Sequence, residues 1–466
     1  MKENFPTYVI TALEMLEKNN FESFLVGGCV RDLLLKKTPK DWDITTNALP
    51  EEIQKIFPNS FYENDFGTVG VIIEKQILEI TTYRVDGEYI DNRHPKKISF
   101  TRRLEEDLER RDFSINAIAM NKDGKIFDPF NGQIDLKNKI IRTIGNPDDR
   151  FSEDALRLLR AVRFAVSLDF KIDEKVRISI LRNAPKLGSI SAERIRDEFS
   201  KILISNFPAN GIYLLDELNL LSYIIPELLF CKGVKQNLHH IYDVWQHLIN
   251  SLKFCPSRKL ELRMASLLHD IGKPQTKKGK GINASFHAHE FVGAKMTKQI
   301  LKRLKFPKKF IDYVVHLVQN HMFFYEETVT DSAVRRILKR IGVENLQDFI
   351  DLRVADRLGS GLREAKSWRL KEFETRAFKV RHHPISTHDL AIKGDEIMKV
   401  LKIKPSKEVG KILEHFLNLI IENPERNTKE FLMKELEKWK NGNPTKLEIP
   451  EDEIEKKREN LLVQDF

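Results

Sequence analysis

The sequence predicts an α+β head followed by a long all-helical body. Three features carry this expectation. The first 140 residues hold short strand-like runs, "VGVIIE", "ILEITTYRV" and "SINAIAM", separated by glycine turns and helices. From about Ser152 onward apolar residues recur at helical spacing, as in "EDALRLLRAVRFAVSL" and in the run from Leu260 to Gly272. Between them, "DPFNGQIDLKNKIIRTIG" marks the change of character. A chain of 466 residues can build several cores. The expected divisions are a head at 1–140, a helical neck and body at 141–230, a second helical domain at 231–365 and a C-terminal helical tail at 366–466.

Composition excludes several classes. There is no run of about 18 apolar residues, so no membrane-spanning helix is expected. The opening "MKENFPTYVITALEMLEKNN" carries acidic residues on a helical pattern, unlike a secretory signal. Cys29, Cys231 and Cys255 lie far apart without CxxC spacing, which argues against a disulfide framework or a zinc ribbon. These features together place the chain in the cytoplasm. The net charge of +9 suits a polyanionic partner and equally suits an ordinary basic protein, so motifs must decide.

In "FLVGGCVRDLLLKKTPKDWDITT", Asp41 and Asp43 alternate with Trp42 and Ile44, and so point the same way from a strand. Two carboxylates at that spacing repel each other unless a divalent cation lies between them. Mg2+ there would serve phosphoryl transfer. Gly27 and Gly28 let backbone amides approach a phosphate, and Arg31 adds charge. "RRDFSINA" contributes Arg110, Arg111, Asp112 and Asn116, suited to ribose and phosphate contacts, and Glu79 in "LEITTYR" is a candidate third carboxylate.

The ordered set "GGCVRDLLL…DWDITT", "FGTVGV", "EITTYRVDGEYIDNRHP", "RRDFSINAIA", "DPFNGQIDL" and "EDALRLLRAVRF" resembles the bacterial class II tRNA nucleotidyltransferases, the CCA-adding enzymes, and their poly(A) polymerase relatives. The likeness runs over roughly the first 200 residues. It implies a nucleotidyltransferase head with a mixed sheet and helices, an all-α neck and body, and tRNA, CTP and ATP as partners. It also implies template-independent addition of the 3′-CCA of tRNA with catalytic Mg2+.

"EDALRLLRAVRF" is expected to be one helix, on which Asp154 and Arg157 are neighbours three residues apart. Cytosine and adenine each pair an amino donor with a ring-nitrogen acceptor. A carboxylate beside a guanidinium satisfies both, whereas uracil and guanine set acceptor against acceptor and donor against donor. The resemblance gives this base-reading role to Asp154 and Arg157. Arg160 and Arg163 drift about 60° per step and suit the triphosphate or tRNA better. The segment "YRVDGEYIDNRHPKKISF" resembles the flexible loop that complete CCA-adding members keep. CC-adding, A-adding and poly(A)-adding activities remain the rivals.

A second constellation lies in the body. His247, the doublet His269–Asp270, His289, His321 and Asp356 are spread over helical segments, and such donors suit a transition metal. Their order resembles the HD phosphohydrolase superfamily over about 231–365. The resemblance implies a divalent transition metal on His247, His269, Asp270 and Asp356, with His289 and His321 supporting a second metal or a substrate phosphate. It leaves a second reading, an HD-type phosphohydrolase with a non-catalytic RNA-binding head. His239, His240, His382, His383 and His388 read as ordinary histidines. Lys404, Lys407 and Lys411, near a helix–turn–helix, suit RNA backbone or a solvated basic face.

Overall fold

A computed structural model describes residues 5–62, 66–87, 98–236, 241–279, 284–322 and 329–445. The centre of the flexible-loop segment, part of the lysine- and glycine-rich stretch "KPQTKKGKGIN", His239, His240 and the charged stretch "EDEIEKKREN" lie outside the described residues. The chain divides into two compact units, Met1–Pro226 and Glu227–Phe466.

The first unit holds the mixed sheet that the strand-like runs imply. Its strands are β1 (Ser23–Val26), β2 (Asp43–Thr46), β3 (Ser60–Phe61), β4 (Thr68–Ile73), β5 (Gln76–Thr82), β6 (Arg84–Asp86), β7 (Ile98–Phe100), β8 (Ala119–Met120) and β9 (Ile126–Phe127). Seven of them form one sheet in the order β3-β4-β5-β2-β1-β8-β9, and β6 pairs with β7 alone. Only β2 and β5 run parallel in the large sheet, and their register sets Asp43 opposite Glu79. The β-branched Ile44, Thr45 and Thr46 are fully buried on β2, which fixes that register. The "SINAIAM" run is only partly strand. Ser114–Asn116 form a 3₁₀ turn, and the strand begins at Ala119.

Two head motifs explain each other. Asp128 accepts the backbone N–H of Gly132 at 2.7 Å and so caps the helix Gly132–Asn138. Asp135 on that helix accepts the Ser114 hydroxyl at 2.5 Å, which fixes the turn carrying Asp112 and Asn116. Gly132 is needed for this close approach, because a Cβ there would meet the Ser114 carbonyl oxygen at 2.3 Å.

Beyond the head, helices dominate. Pro147–Glu153, Arg157–Leu168, Glu174–Asn183, Ala192–Leu203 and Pro208–Glu217 complete the first unit. The "EDALRLLRAVRF" stretch departs from expectation, since Asp154 stands between two helices with extended backbone at φ −141°, ψ 104°. Its carboxylate accepts the Leu156 N–H at 3.0 Å, so the aspartate closes a local turn that leads into a new helix instead of continuing the old one.

The second unit is helical among its described residues. Val244–Lys253, Leu260–Leu268, His289–Arg303, Lys308–Gln319 and Leu346–Gly359 surround one core. A separate apolar cluster, with Ile412, Phe416, Ile420 and Leu436, unites the last helices. No helix among the described residues is long and apolar enough to cross a membrane.

Replacing Gly132 by alanine is expected to destabilise the first unit by about 2 kcal/mol, because the added methyl meets a fixed carbonyl. A fall in its denaturant midpoint measures this, and an unchanged midpoint contradicts the packing described.

Candidate functional site

Asp43 opens β2 half-buried, and Asp41 stands exposed just before it. Glu79 is exposed on β5 directly beside Asp43. Burial raises the Asp43 carboxyl above its usual range, and the fields of Glu79 and Asp41 push the same way against Arg111. A half-buried carboxylate under the field of two exposed acidic neighbours is what a divalent cation relieves. Gly27 has φ +77°, and a Cβ there would lie 3.2 Å from Arg111 and 3.9 Å from Asp43. Glycine therefore lets the turn after β1 lie against both charges.

Asp41 and Asp43 form one side of a cavity of about 800 Å³. The other predicted residues Gly27, Gly28, Arg31, Arg111, Asp112, Asn116, Asp154, Arg157, Arg160 and Arg163 also line it, with Arg110. Glu79 is not among the lining residues and reaches the site through its charge on Asp43. Sequence reasoning missed Phe66, Arg84, Phe164 and Arg194, which line the same cavity. The wall carries eight arginines against four aspartates, a surface for a polyanion.

Hydrogen bonds tie these groups together. Arg31 donates to Asn116 Oδ1 at 2.8 Å, Asn116 donates to Asp112 Oδ1 at 3.1 Å, and Arg160 donates to Asp112 Oδ2 at 2.6 Å. Burial opposes the Asp112 charge, yet Arg160, Asn116 and Arg157 hold its carboxyl below the usual range. The Phe164 ring carries the guanidinia of Arg31, Arg160 and Arg163 at 5.4, 5.3 and 4.1 Å from its centre.

The expected side-by-side Asp154–Arg157 pair on one helix is corrected by the helix break at Asp154. Arg157 is 7% exposed and donates to Glu153, to Arg150 O at 3.1 Å and to Arg110 O at 3.0 Å. Asp154 is held by Arg194 through two contacts of 2.7 and 3.1 Å. Both residues still line one cavity.

In the second unit the six dispersed donors converge. His247 Nε2 and His269 Nε2 are 3.0 Å apart, and Asp270 Oδ2 lies 3.1 and 3.4 Å from them. Asp356 Oδ1 lies 3.3 and 3.6 Å from the same two nitrogens. The other Asp270 oxygen, Oδ1, lies 3.0 Å from His289 Nε2 and 3.6 Å from His321 Nε2. Asp270 thus faces both groups of donors, His247–His269 and His289–His321.

The tautomers fit metal binding. His269, His289 and His321 donate their Nδ1–H to the carbonyls of Ser266, Phe286 and Val318 at 3.0, 2.7 and 2.6 Å. Each Nε2 therefore faces the centre and is the nitrogen that a cation would take. Separations near 3 Å match the ligand–ligand edge around an ion with bonds of about 2.1 Å. Lys273 lies 2.5 Å from Asp270 Oδ2. Burial opposes the Asp270 charge, but Lys273 and His269 hold the carboxyl well below its usual range. Burial lowers both histidines; beside Asp270 and Asp356 His269 nonetheless rises to about 9, so a cation would have to displace its Nε2 proton, whereas burial and the neighbouring histidines bring His321 down to about 4.

Comparisons with known proteins agree with this division. Residues 23–142 match the Poly A polymerase head domain, 169–231 the probable RNA and SrmB-binding site of polymerase A, and 237–360 the HD domain. A CCA-adding enzyme of Enterococcus faecalis is 32% identical over 422 residues, covering 90% of this chain and 92% of that protein. One from Geobacillus kaustophilus is 45% identical over 213 residues, 46% of this chain. That match spans about half, 53%, of the relative's length. The crystal structure of Bacillus stearothermophilus CCA-adding enzyme in complex with CTP superposes with a TM-score of 0.72 at 28% identity, over 93% of this chain and 98% of that one. The head and HD matches suggest divalent metals.

His269→Ala is expected to lower bound divalent metal at least about tenfold after dialysis, as read by elemental analysis. Asp43→Asn should leave that metal in place. Equal loss in both variants contradicts the assignment of the second-unit centre.

Proposed function

The chain belongs to the CCA-adding enzyme family, and from that premise we propose that it builds and repairs the 3′-terminal CCA of tRNA from CTP and ATP. The supporting observation is the cavity that gathers Asp41, Asp43 and Asp154 with eight arginines, Arg157 among them. CC-adding, A-adding and poly(A)-adding activities use nearly the same motifs and are the less favoured readings.

The chain's own residues divide the work. Asp41 and Asp43, with Glu79 beside them, would hold Mg2+, which when bound eases ionisation of a hydroxyl and departure of pyrophosphate. Arg31, Arg111, Arg160 and Arg163, with the turn at Gly27 and Gly28, bind the triphosphate. The Asp112–Asn116 pair orients Arg31 and Arg160 and meets the ribose. Asp154 accepts from the amino group of cytosine or adenine while Arg157 donates to the adjacent ring nitrogen. The primer's 3′-hydroxyl then attacks the α-phosphate in line, and pyrophosphate leaves toward the arginines; positioning and electrostatics supply most of the rate. Shape and backbone contacts select the tRNA, with Lys404, Lys407 and Lys411 as candidate contacts.

The assigned regions are the head at 1–140, the neck and body at 141–230, the HD-type domain at 231–365 and the tail at 366–466. We place the protein in the cytoplasm, where tRNA is processed. The converging donors of the second unit favour a second activity. His247, His269, Asp270 and Asp356, with His289 and His321, would hold a divalent transition metal, which supplies an activated water for phosphomonoesters or 2′,3′-cyclic phosphates.

Asp43→Asn is expected to lower CTP incorporation into tRNA lacking its CCA by about a thousandfold, with tRNA binding retained. Surviving incorporation overturns the assignment of Asp43.

A further inference from the structure

We propose that Phe66 seats the terminal base of the RNA strand being extended, so that the cavity holds a stacking site open to any base beside a reading site open to two. The inference rests on the activity proposed above, which brings the 3′ end of a tRNA into this cavity.

That activity makes opposite demands on two bases. The incoming base must be chosen, and Asp154 and Arg157 supply the polar groups for it. The base at the end of the strand must be held without being chosen, because it changes as synthesis proceeds: first whichever base precedes the CCA, then C, then C again. A hydrogen-bonding contact suited to one of these would reject the next. An aromatic ring accepts them all, since every base has a π-face.

Two aromatic rings line the cavity among the described residues, Phe66 and Phe164. Phe164 is 5% exposed, and the guanidinia of Arg31, Arg160 and Arg163 already occupy its ring. Phe66 is 39% exposed in a wall dominated by charged side chains. A ring kept there forgoes the burial that draws phenylalanine inside.

The ring is held in place rather than left to swing. Arg84 donates through Nη1 to the Phe66 carbonyl, and its guanidinium carbon lies 5.5 Å from the ring centre, so one side chain grips backbone and ring together. Gly67 takes φ +78°, where a Cβ would lie 2.7 Å from the Phe100 ring, and its carbonyl accepts the Thr82 N–H at 2.9 Å. Arg84 and Phe100 face each other across the β6–β7 pair, so one ribbon supports both residues of the turn. A ring fixed in advance loses little freedom when a base stacks on it.

The test measures KM for tRNA and for CTP with wild type, Phe66→Ala and Phe66→Tyr. The substrates are tRNA lacking its CCA and the same tRNA with an abasic last nucleotide. Phe66→Ala is expected to raise the KM for tRNA about fivefold or more and to leave the KM for CTP unchanged. Phe66→Tyr, which keeps the π-face, should stay near wild type. The abasic end should raise the wild-type KM for tRNA by a similar factor but add nothing in Phe66→Ala, because the two changes remove one contact. A loss in Phe66→Ala that multiplies with the abasic one overturns the inference. So does a loss that falls on CTP instead of tRNA, which would place the incoming base on the ring. Should Phe66→Ala not fold, an abasic end that leaves the wild-type KM unchanged overturns it instead. Failure of wild type to incorporate CTP would overturn the proposed function and this inference with it; a working wild type indifferent to Phe66 overturns this inference alone.

Discussion

Eight arginines facing one cavity would repel one another and drift if nothing held them, and the head depends on how that repulsion is contained. Each is tethered by an oxygen. Arg31 has Asp32, Arg84 the Phe66 carbonyl, Arg110 and Arg111 share Asp107, and Arg157 has Glu153. Arg160 has Asp112, Arg163 has Glu198 and Arg194 has Asp154. The buried Asp107 carries two of them, and Arg110 and Arg111 keep its carboxyl below the usual range against the cost of burial. Such pairs add little net stability once desolvation is subtracted, but they fix where each guanidinium points.

That array presents guanidinia already fixed in direction to any polyanion that enters the cavity. Phe164 lies beneath three of the guanidinia, and the attraction of its ring for each offsets part of their mutual repulsion. The acidic corner at Asp41 and Asp43 sits on the opposite logic, since its charges raise one another's cost and are left for a cation to settle. Cations held by acids and acids awaiting a cation thus share one cavity. The second unit repeats the theme with histidines: backbone acceptors hold the Nδ1–H of His269, His289 and His321 and leave each Nε2 facing the centre beside Asp270.

Much of this was legible in the sequence, for a specific reason. Asp41 and Asp43 stand two residues apart, and His269 and Asp270 are adjacent, so their proximity is covalent before it is structural. The mixed sheet followed from β-branched runs, and the helical body from its periodicity. What the sequence concealed depends on contacts between elements. Arg194 lies 40 residues from Asp154, on another helix, and nothing in "SAERIRDEF" marks it. The break at Asp154 was hidden because "EDALRLLRAVRF" has uninterrupted helical periodicity, while a side-chain turn from its carboxylate to the Leu156 N–H won locally. The double-facing role of Asp270 was likewise invisible, because spacing along a chain does not say which oxygen faces which histidine.

The most direct measurement is the product ladder, at nucleotide resolution, from purified protein, Mg2+, CTP and ATP on tRNA lacking its last three nucleotides. Addition of two C and one A, followed by arrest, is the expected result. Arrest after two C, or a long A tail without C, would contradict the proposed activity.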